Sequence, residues 1–356
     1  MKHLRMNFRP IAILGLLTVT LSVNASHHFE AADFLQDTRL AQVDNYIFPD
    51  QSHSYTNVIM TINYDPKPGE NGIFSPKAVY NIHLASDVDL KAGKTISFKF
   101  NKNNYSVYES NNANPMPGDV GKKIGEGTIG KTHILANKMK VFVAPVKDAF
   151  FGNAISLEEF RKDNLDGKYN PKVWANANNK NVFDERSVGA IVVAIPDAML
   201  SKDIYAFFTT DALKNKQYEQ VQYSARPLFS HVMLFDSNIL RKAHDQSRPT
   251  PHYNKDVVNL VSARILRGVS TAKTHGEDAV DYSDKAAQRL VPDVLSYKVG
   301  TETVYTPEEM NGRGLDDDIM STMLSILLGE NTDQKITNPK KHTDSFPYLM
   351  PTTLAN

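Results

Sequence analysis

Three runs carry the fold in their spacing: Val58-Ile59-Met60-Thr61-Ile62-Asn63-Tyr64, Val79-Tyr80-Asn81-Ile82-His83-Leu84 and Thr95-Ile96-Ser97-Phe98-Lys99-Phe100. Each is rich in β-branched and aromatic residues, is bounded by Pro, Gly, Asn or Asp, and repeats with a period of two rather than 3.6. That period predicts antiparallel strands joined by turns. Working outward, the same texture holds from Tyr46 to Phe100. Further strands are expected at 139–143, 188–195, 204–209 and 219–223. Segment 101–130, dense in Asn, Gly and Pro, reads as a decorated loop or irregular hairpin. The polar stretch 152–183 holds a short helix at 156–161, where Ser156-x-x-Glu159 fits a capping box.

After Pro227 the apolar spacing lengthens. Segments 238–245, 256–267, 282–290 and 316–328 are expected helices. The last carries Ile319, Met320, Met323, Leu324, Leu327 and Leu328 on one stripe, with three acids at its start, where the helix dipole favours negative charge. The expected class is α+β, mainly β: an antiparallel β-sandwich-like core with helices concentrated in the C-terminal third. Residues 26–227 form the β-rich core in this reading, 228–330 a helical part packed on it, and 331–356 an extended tail closing on Phe346-Pro347-Tyr348-Leu349. No repeat of fixed period is visible.

Composition narrows the chemistry. The 356 residues include 40 basic and 40 acidic side chains, 11 His, one Trp and no Cys, and 41% are apolar. This is enough apolar surface for a folded chain. Without cysteine there are no disulfides, thiolate nucleophiles or Cys-held clusters, and any metal must be held by nitrogen and oxygen. The balanced charge argues against a nucleic-acid groove, which needs clustered Lys and Arg.

Residues 1–25 read as a secretory signal. Lys2, Arg5 and Arg9 precede an uncharged run at 11–23 that ends in Val23-Asn24-Ala25, so cleavage is expected after Ala25. The run is too short to span a bilayer, and no later segment approaches that length. Cleavage would leave 37 basic against 40 acidic residues, a net charge of −3, on a soluble periplasmic or secreted protein.

Several motifs in order resemble the exported bacterial family called domain of unknown function 4331. They are Ser26-His27-His28-Phe29-Glu30-Ala31, Asp44-x-Tyr46-x-Phe48, Asn63-Tyr64-x-Pro66, Asp148-Ala149-Phe150-Phe151, Arg226-Pro227, Pro292-Asp293-Val294-Leu295, Asn311-Gly312-Arg313 with Leu315 and Asp317-Asp318, and the closing Phe346-Pro347-Tyr348-Leu349. The resemblance implies export and brings no established catalytic residues. Many members carry an Asp-x-Asp-Gly-Asp-like turn; here Ala85-Ser86-Asp87-Val88-Asp89 keeps two carboxylates and lacks the Gly, too few oxygens for calcium alone.

Four clusters could carry chemistry. A chain beginning Ser26-His27-His28 offers an amine, two amides and a third-position imidazole, the square-planar nitrogen set that suits copper; the competing reading is a mobile terminus. Asp317 and Asp318 could hold a cation such as calcium, and Arg313 an anion. The competing reading there is helix capping by Asp316 with an Arg313–Asp salt bridge. Asp44 and Asp148 are ligand-binding candidates, the latter with Phe150 and Phe151 lining a cleft. His231, His244 and His252 lie near one another in sequence, with zinc binding weighed against ordinary core or solvated histidines. There is no nucleophile elbow, His-Glu-x-x-His, phosphate loop or dinucleotide fingerprint. The leading functional expectation is a non-enzymatic binding or structural module, with metal association left open by the clusters above. The alternatives are a metal-dependent periplasmic enzyme and a glycan binder using Tyr46, Tyr64, Phe150 and Phe151.

Overall fold

The alternation becomes two faces as soon as strands pair. In β1 (Gln42–Pro49), Ile47 points into the core while Tyr46 and Phe48 point outward; in β2 (Tyr55–Ile62), Val58, Met60 and Ile62 face in and Ile59 out. The computed structural model describes residues 37–67, 72–176, 179–249 and 254–352. With β7 (Thr132–Ile134), β8 (Lys140–Lys147) and β9 (Ser187–Pro196), these strands make a five-stranded antiparallel sheet of order β1-β2-β9-β8-β7.

The second sheet runs β11 (Gln217–Ser224), β10 (Asp203–Lys214), β3 (Ala78–Ala85), β4 (Gly93–Asn101), β5 (Asn104–Ser110) and β6 (Lys122–Thr128). One edge of β10 is shared. Its residues 208–214 pair with β11, and residues 203–206 pair with β12 (Leu295–Lys298), which arrives from the C-terminal third. The inner faces meet in one core, Val58, Met60 and Ile62 from the first sheet against Tyr80, Ile82, Ile96 and Phe98 from the second, each fully buried. The expected mainly-β, sandwich-like class with late helices is what the chain adopts. All seven strands read from the sequence are present.

Segment 101–130 takes the second of its two expected forms, an irregular hairpin: β5 and β6 pair antiparallel with a register shift between Val107 and Tyr108. In β5, Tyr105 and Val107 do alternate inward, but the flanking Asn, Gly and Pro mask the signal. β6 carries glycine where it crosses Tyr105: a Cβ on Gly127 would collide with the Tyr105 hydroxyl.

Six helices are described: α1 (Ala154–Leu165), α2 (Phe229–Met233), α3 (Asn238–Asp245), α4 (Asn254–Ala272), α5 (Ala279–Leu290) and α6 (Ile319–Leu328). The N-cap of α1 is Asn153, whose side chain accepts from Ser156 N at 3.1 Å, so the expected capping box is displaced by three residues. The Ser156 hydroxyl instead donates to the Val173 carbonyl at 2.6 Å. α6 is buried on every side, including Thr322 and Ser325, so it is a core helix rather than a one-striped surface helix. Gly268 of α4 permits its approach, since a Cβ there would meet the Leu327 carbonyl. α1 joins the same layer through Asn164, bonded to Thr271 and Arg267 of α4. Among the described residues, no helix is long and apolar enough to cross a membrane.

Candidate functional site

The predicted polar residues gather on the outer face of the five-stranded sheet. β1 aims Asp44, Tyr46 and Phe48 outward. A short hairpin, β13 (Val304–Tyr305) with β14 (Met310–Asn311), then delivers Gly312 and Arg313 to the same strand. Ile47 and Arg313 exchange both backbone hydrogen bonds, at 3.1 and 2.8 Å. Gly312 makes this possible: its φ of 66° lies in the left-handed region, and a Cβ would press on the Ile47 carbonyl.

Arg313 then spends its fork on Asp44. Nη1 bonds Oδ1, Nη2 bonds Oδ2 at 3.0 Å, and Nη1 also donates to the Asn45 carbonyl at 2.9 Å. The guanidinium lies 4.1 Å from the Tyr46 ring centroid, a cation–π contact, and is 2% exposed. Burial opposes the charged guanidinium, but Asp44 together with Tyr46 and Tyr305 outweighs it and holds the arginine above its ordinary value. The expected partner was an acid of the following loop; the actual one lies 269 residues away.

Asp148 belongs to the same face but plays a different part. Its Oδ1 accepts from Phe150 N at 3.0 Å, shaping the turn after β8, and its Oδ2 lies 3.9 Å from Arg186 Nε. Arg186 is held by Asn63, which accepts from Nη2 at 2.7 Å. Burial pushes the Asp148 carboxyl up to about 7, with Arg186 opposing and the Asp44 charge adding to the rise. Phe150 and Phe151 are buried rather than lining a cleft, as is Tyr46, while Tyr64 is half-buried against the core; these rings form no exposed platform.

The three acids before α6 have separate tasks. Asp318 caps the helix, accepting from Ser321 N at 3.0 Å and from its hydroxyl at 2.7 Å, and it also accepts from Gln334 at 2.6 Å. Asp317 accepts from Gly314 N at 2.6 Å, and burial raises its carboxyl. Asp316, the expected cap, instead accepts from Asn338 at 2.6 Å and His342 at 3.0 Å, fastening the tail. Asp87 likewise closes its own turn by accepting from Ala92 N at 2.6 Å. Among the described residues, no three His, Asp or Glu side chains are gathered as a metal set. His231 and His244 are buried, and His244 sits 3.2 Å from Asp293. Ser26, His27, His28 and His252 lie outside the described residues.

The tail closes over this face. Phe346, Tyr348 and Leu349 pack with Phe48, Phe142, Val146 and Val192, and the Tyr348 hydroxyl accepts from Asn57 at 3.0 Å. Beyond β7, the free edge of β8 is paired by the tail, with Lys147 N bonded to the Met350 carbonyl at 2.8 Å and Thr352 N to the Pro145 carbonyl at 3.0 Å. A hollow of about 310 Å³ rimmed by Glu302, Asp316, Asp317 and His342 stays open, as does a smaller one of about 150 Å³ beside Tyr55 and Lys140. A larger groove of about 760 Å³ lies on the other sheet, at the β4–β6 end, lined by Lys99, Tyr105, Tyr108 and His133 among others. The sequence reading did not single it out because two of its strands fall in the segment read only as a decorated loop or irregular hairpin; the alternation of Tyr105 and Val107 was the available signal.

No family model matches this chain, and neither a curated protein nor a solved structure matches it.

Proposed function

We propose that this chain is an exported, non-enzymatic binding or structural module, cleaved after Ala25 and related to the family its motifs resemble. The observation that carries the reading is the use made of the polar residues. Asp44 and Arg313 are committed to each other across 269 residues, Asp317 to closing its own loop on Gly314 N, and Asp318 to capping its helix and holding Gln334, on a face the tail largely covers. Catalysis requires groups free to meet a substrate.

The motif elements support the kinship by meeting one another. Asp44 and Tyr46 hold Arg313, Phe48 meets Tyr348 edge-on at 5.0 Å, and Arg226 N bonds Asp293 Oδ1 at 2.7 Å. Expression of the full chain in a bacterial host tests the reading through compartment, intact mass and metal content. A periplasmic or secreted product beginning at Ser26 and lacking stoichiometric copper or calcium is expected. A cytoplasmic product retaining its leader would overturn export. Stoichiometric metal accompanied by turnover would replace the module with a metal-dependent enzyme.

A further inference from the structure

From the groove on the seven-stranded sheet, and resting on the module reading above, we infer that this protein binds a short neutral polyhydroxylated chain, a glycan segment, across β4, β5 and β6. A volume of about 760 Å³ falls inside the range of small-molecule sites, roughly 300–1,000 Å³. Glu126 is paired with Lys123 at 2.6 Å, so its carboxylate is not left open to select a cation. Lys99 stands over the rings of Tyr108 at 5.9 Å and Tyr218 at 5.1 Å, which stabilise its ammonium without neutralising it and leave it a donor to sugar hydroxyls as well as to carboxylates; the charged controls below distinguish the two. A lone ammonium does not mark the groove as an ion site.

What it offers instead is a set of neutral polar groups beside one aromatic face. Asn101 and Asn104 are exposed, Ser106 is half-buried, and the half-buried Tyr108 ring lies among them. Amides and hydroxyls match sugar hydroxyls, and a phenol ring matches the apolar C–H face of a pyranose. The floor adds an independent sign. Tyr105 is 2% exposed, yet its hydroxyl has no hydrogen-bond partner among the described residues, and it lies so close against Gly127 that a Cβ there would collide with it. A buried hydroxyl without a partner is costly and is met by a group entering the site. His133 borders the same floor; its Nε2 accepts from Thr128 N at 2.9 Å, which fixes the tautomer with Nδ1 as donor.

Isothermal titration of the mature full-length protein tests this with α-1,4- and β-1,4-linked glucose trimers and a β-1,4-linked N-acetylglucosamine trimer. A galacturonate trimer and a glucosamine trimer serve as charged controls. At least one neutral trimer is expected to bind with a Kd between about 0.1 and 5 mM, as suits a short, open site. Tyr108→Ala should weaken that binding about ten-fold and leave the melting temperature unchanged. Ser106→Tyr, which fills the groove from a half-exposed position, should abolish it. Three results overturn the ligand class: no binding by any neutral trimer to a correctly exported and cleaved protein, tighter binding of either charged control, or binding indifferent to both variants. A protein found with its leader intact in the cytoplasm would instead overturn the module reading beneath it.

Discussion

The outer faces of the two sheets are covered by opposite chemistries. On the five-stranded sheet, charge is buried in pairs: Asp44 against Arg313, Asp148 near Arg186, with the 342–352 tail laid across. On the seven-stranded sheet, the buried polar network is mostly neutral. Asn81 donates to Thr209 at 3.1 Å and accepts from Ser97 at 2.6 Å, while His83 spans Thr95 and Thr209, each at 2.9 Å, and stacks on Phe207; the buried Asp211 carboxylate accepts from Asn81 at 2.9 Å and from Gly118 N at 3.0 Å. A buried ion pair must stay whole, because an orphaned charge in low dielectric is expensive, whereas a neutral hydrogen-bond network degrades by smaller steps. The first face is thus suited to fastening the chain, and the second can leave its β4–β6 end open.

Breaking the pair should give the largest difference between the faces. Arg313→Met leaves Asp44 buried alone and is expected to cost about 3–5 kcal/mol in denaturant unfolding. The double variant Asp44→Leu/Arg313→Met should recover most of that loss; a double variant that loses as much as Asp44→Leu and Arg313→Met summed would show that the two residues are not coupled. Next in size, Tyr348→Ala removes a ring packed on Phe48 and a hydroxyl bonded to Asn57. About 2–4 kcal/mol should be lost, read from the same unfolding curves.

The two faces should also answer acid with opposite signs. Asp148 has its folded value raised to about 7, so the folded protein holds this proton while the unfolded chain has released it. Stability at this site therefore falls as pH rises from the carboxylate range toward about 7, and returns on acidification. His83 is held well below its usual value, chiefly by burial. Its neutral form is favoured in the fold, so stability is lost as pH falls through the ordinary histidine value of about 6.5. Asp148→Asn should flatten the first slope and His83→Gln the second, each by about 1–2 kcal/mol between about pH 7 and 5. Matching slopes in both variants would remove the contrast. The smallest effect is expected at the groove: Tyr108→Ala, half-exposed, should shift stability by less than about 0.5 kcal/mol.

Much of the strand map was legible because alternation is a local property. Val58 to Ile62 and Val79 to Leu84 show it without help from any neighbour. The helix at Asn238–Asp245 matches its expected bounds for the same reason. β5 and β6 were legible only as one of two readings, an irregular hairpin, because glycine at 125 and 127 serves packing against Leu135 and Tyr105, a demand absent from local pattern. The site residues were partly legible as types. Asp44, Asp148, Arg313 and the Asp316–Asp318 run stood out, but their partners did not, since each bond spans either the length of the chain or a choice among adjacent carboxylates. The expected cap at Asp316 failed for the second reason: one residue of phase along the chain decides which carboxylate faces the free amides of α6.

From residue order alone came the strands, the late helices and the absence of thiol chemistry, all of which follow from periodicity and composition over a few neighbouring residues. Tertiary structure decided that Arg313 crosses to Asp44, that the tail seals one sheet, and that the other keeps an open groove. Those outcomes depend on long-range pairing and close approach, where the energy belongs to contacts between segments and is written in neither segment by itself.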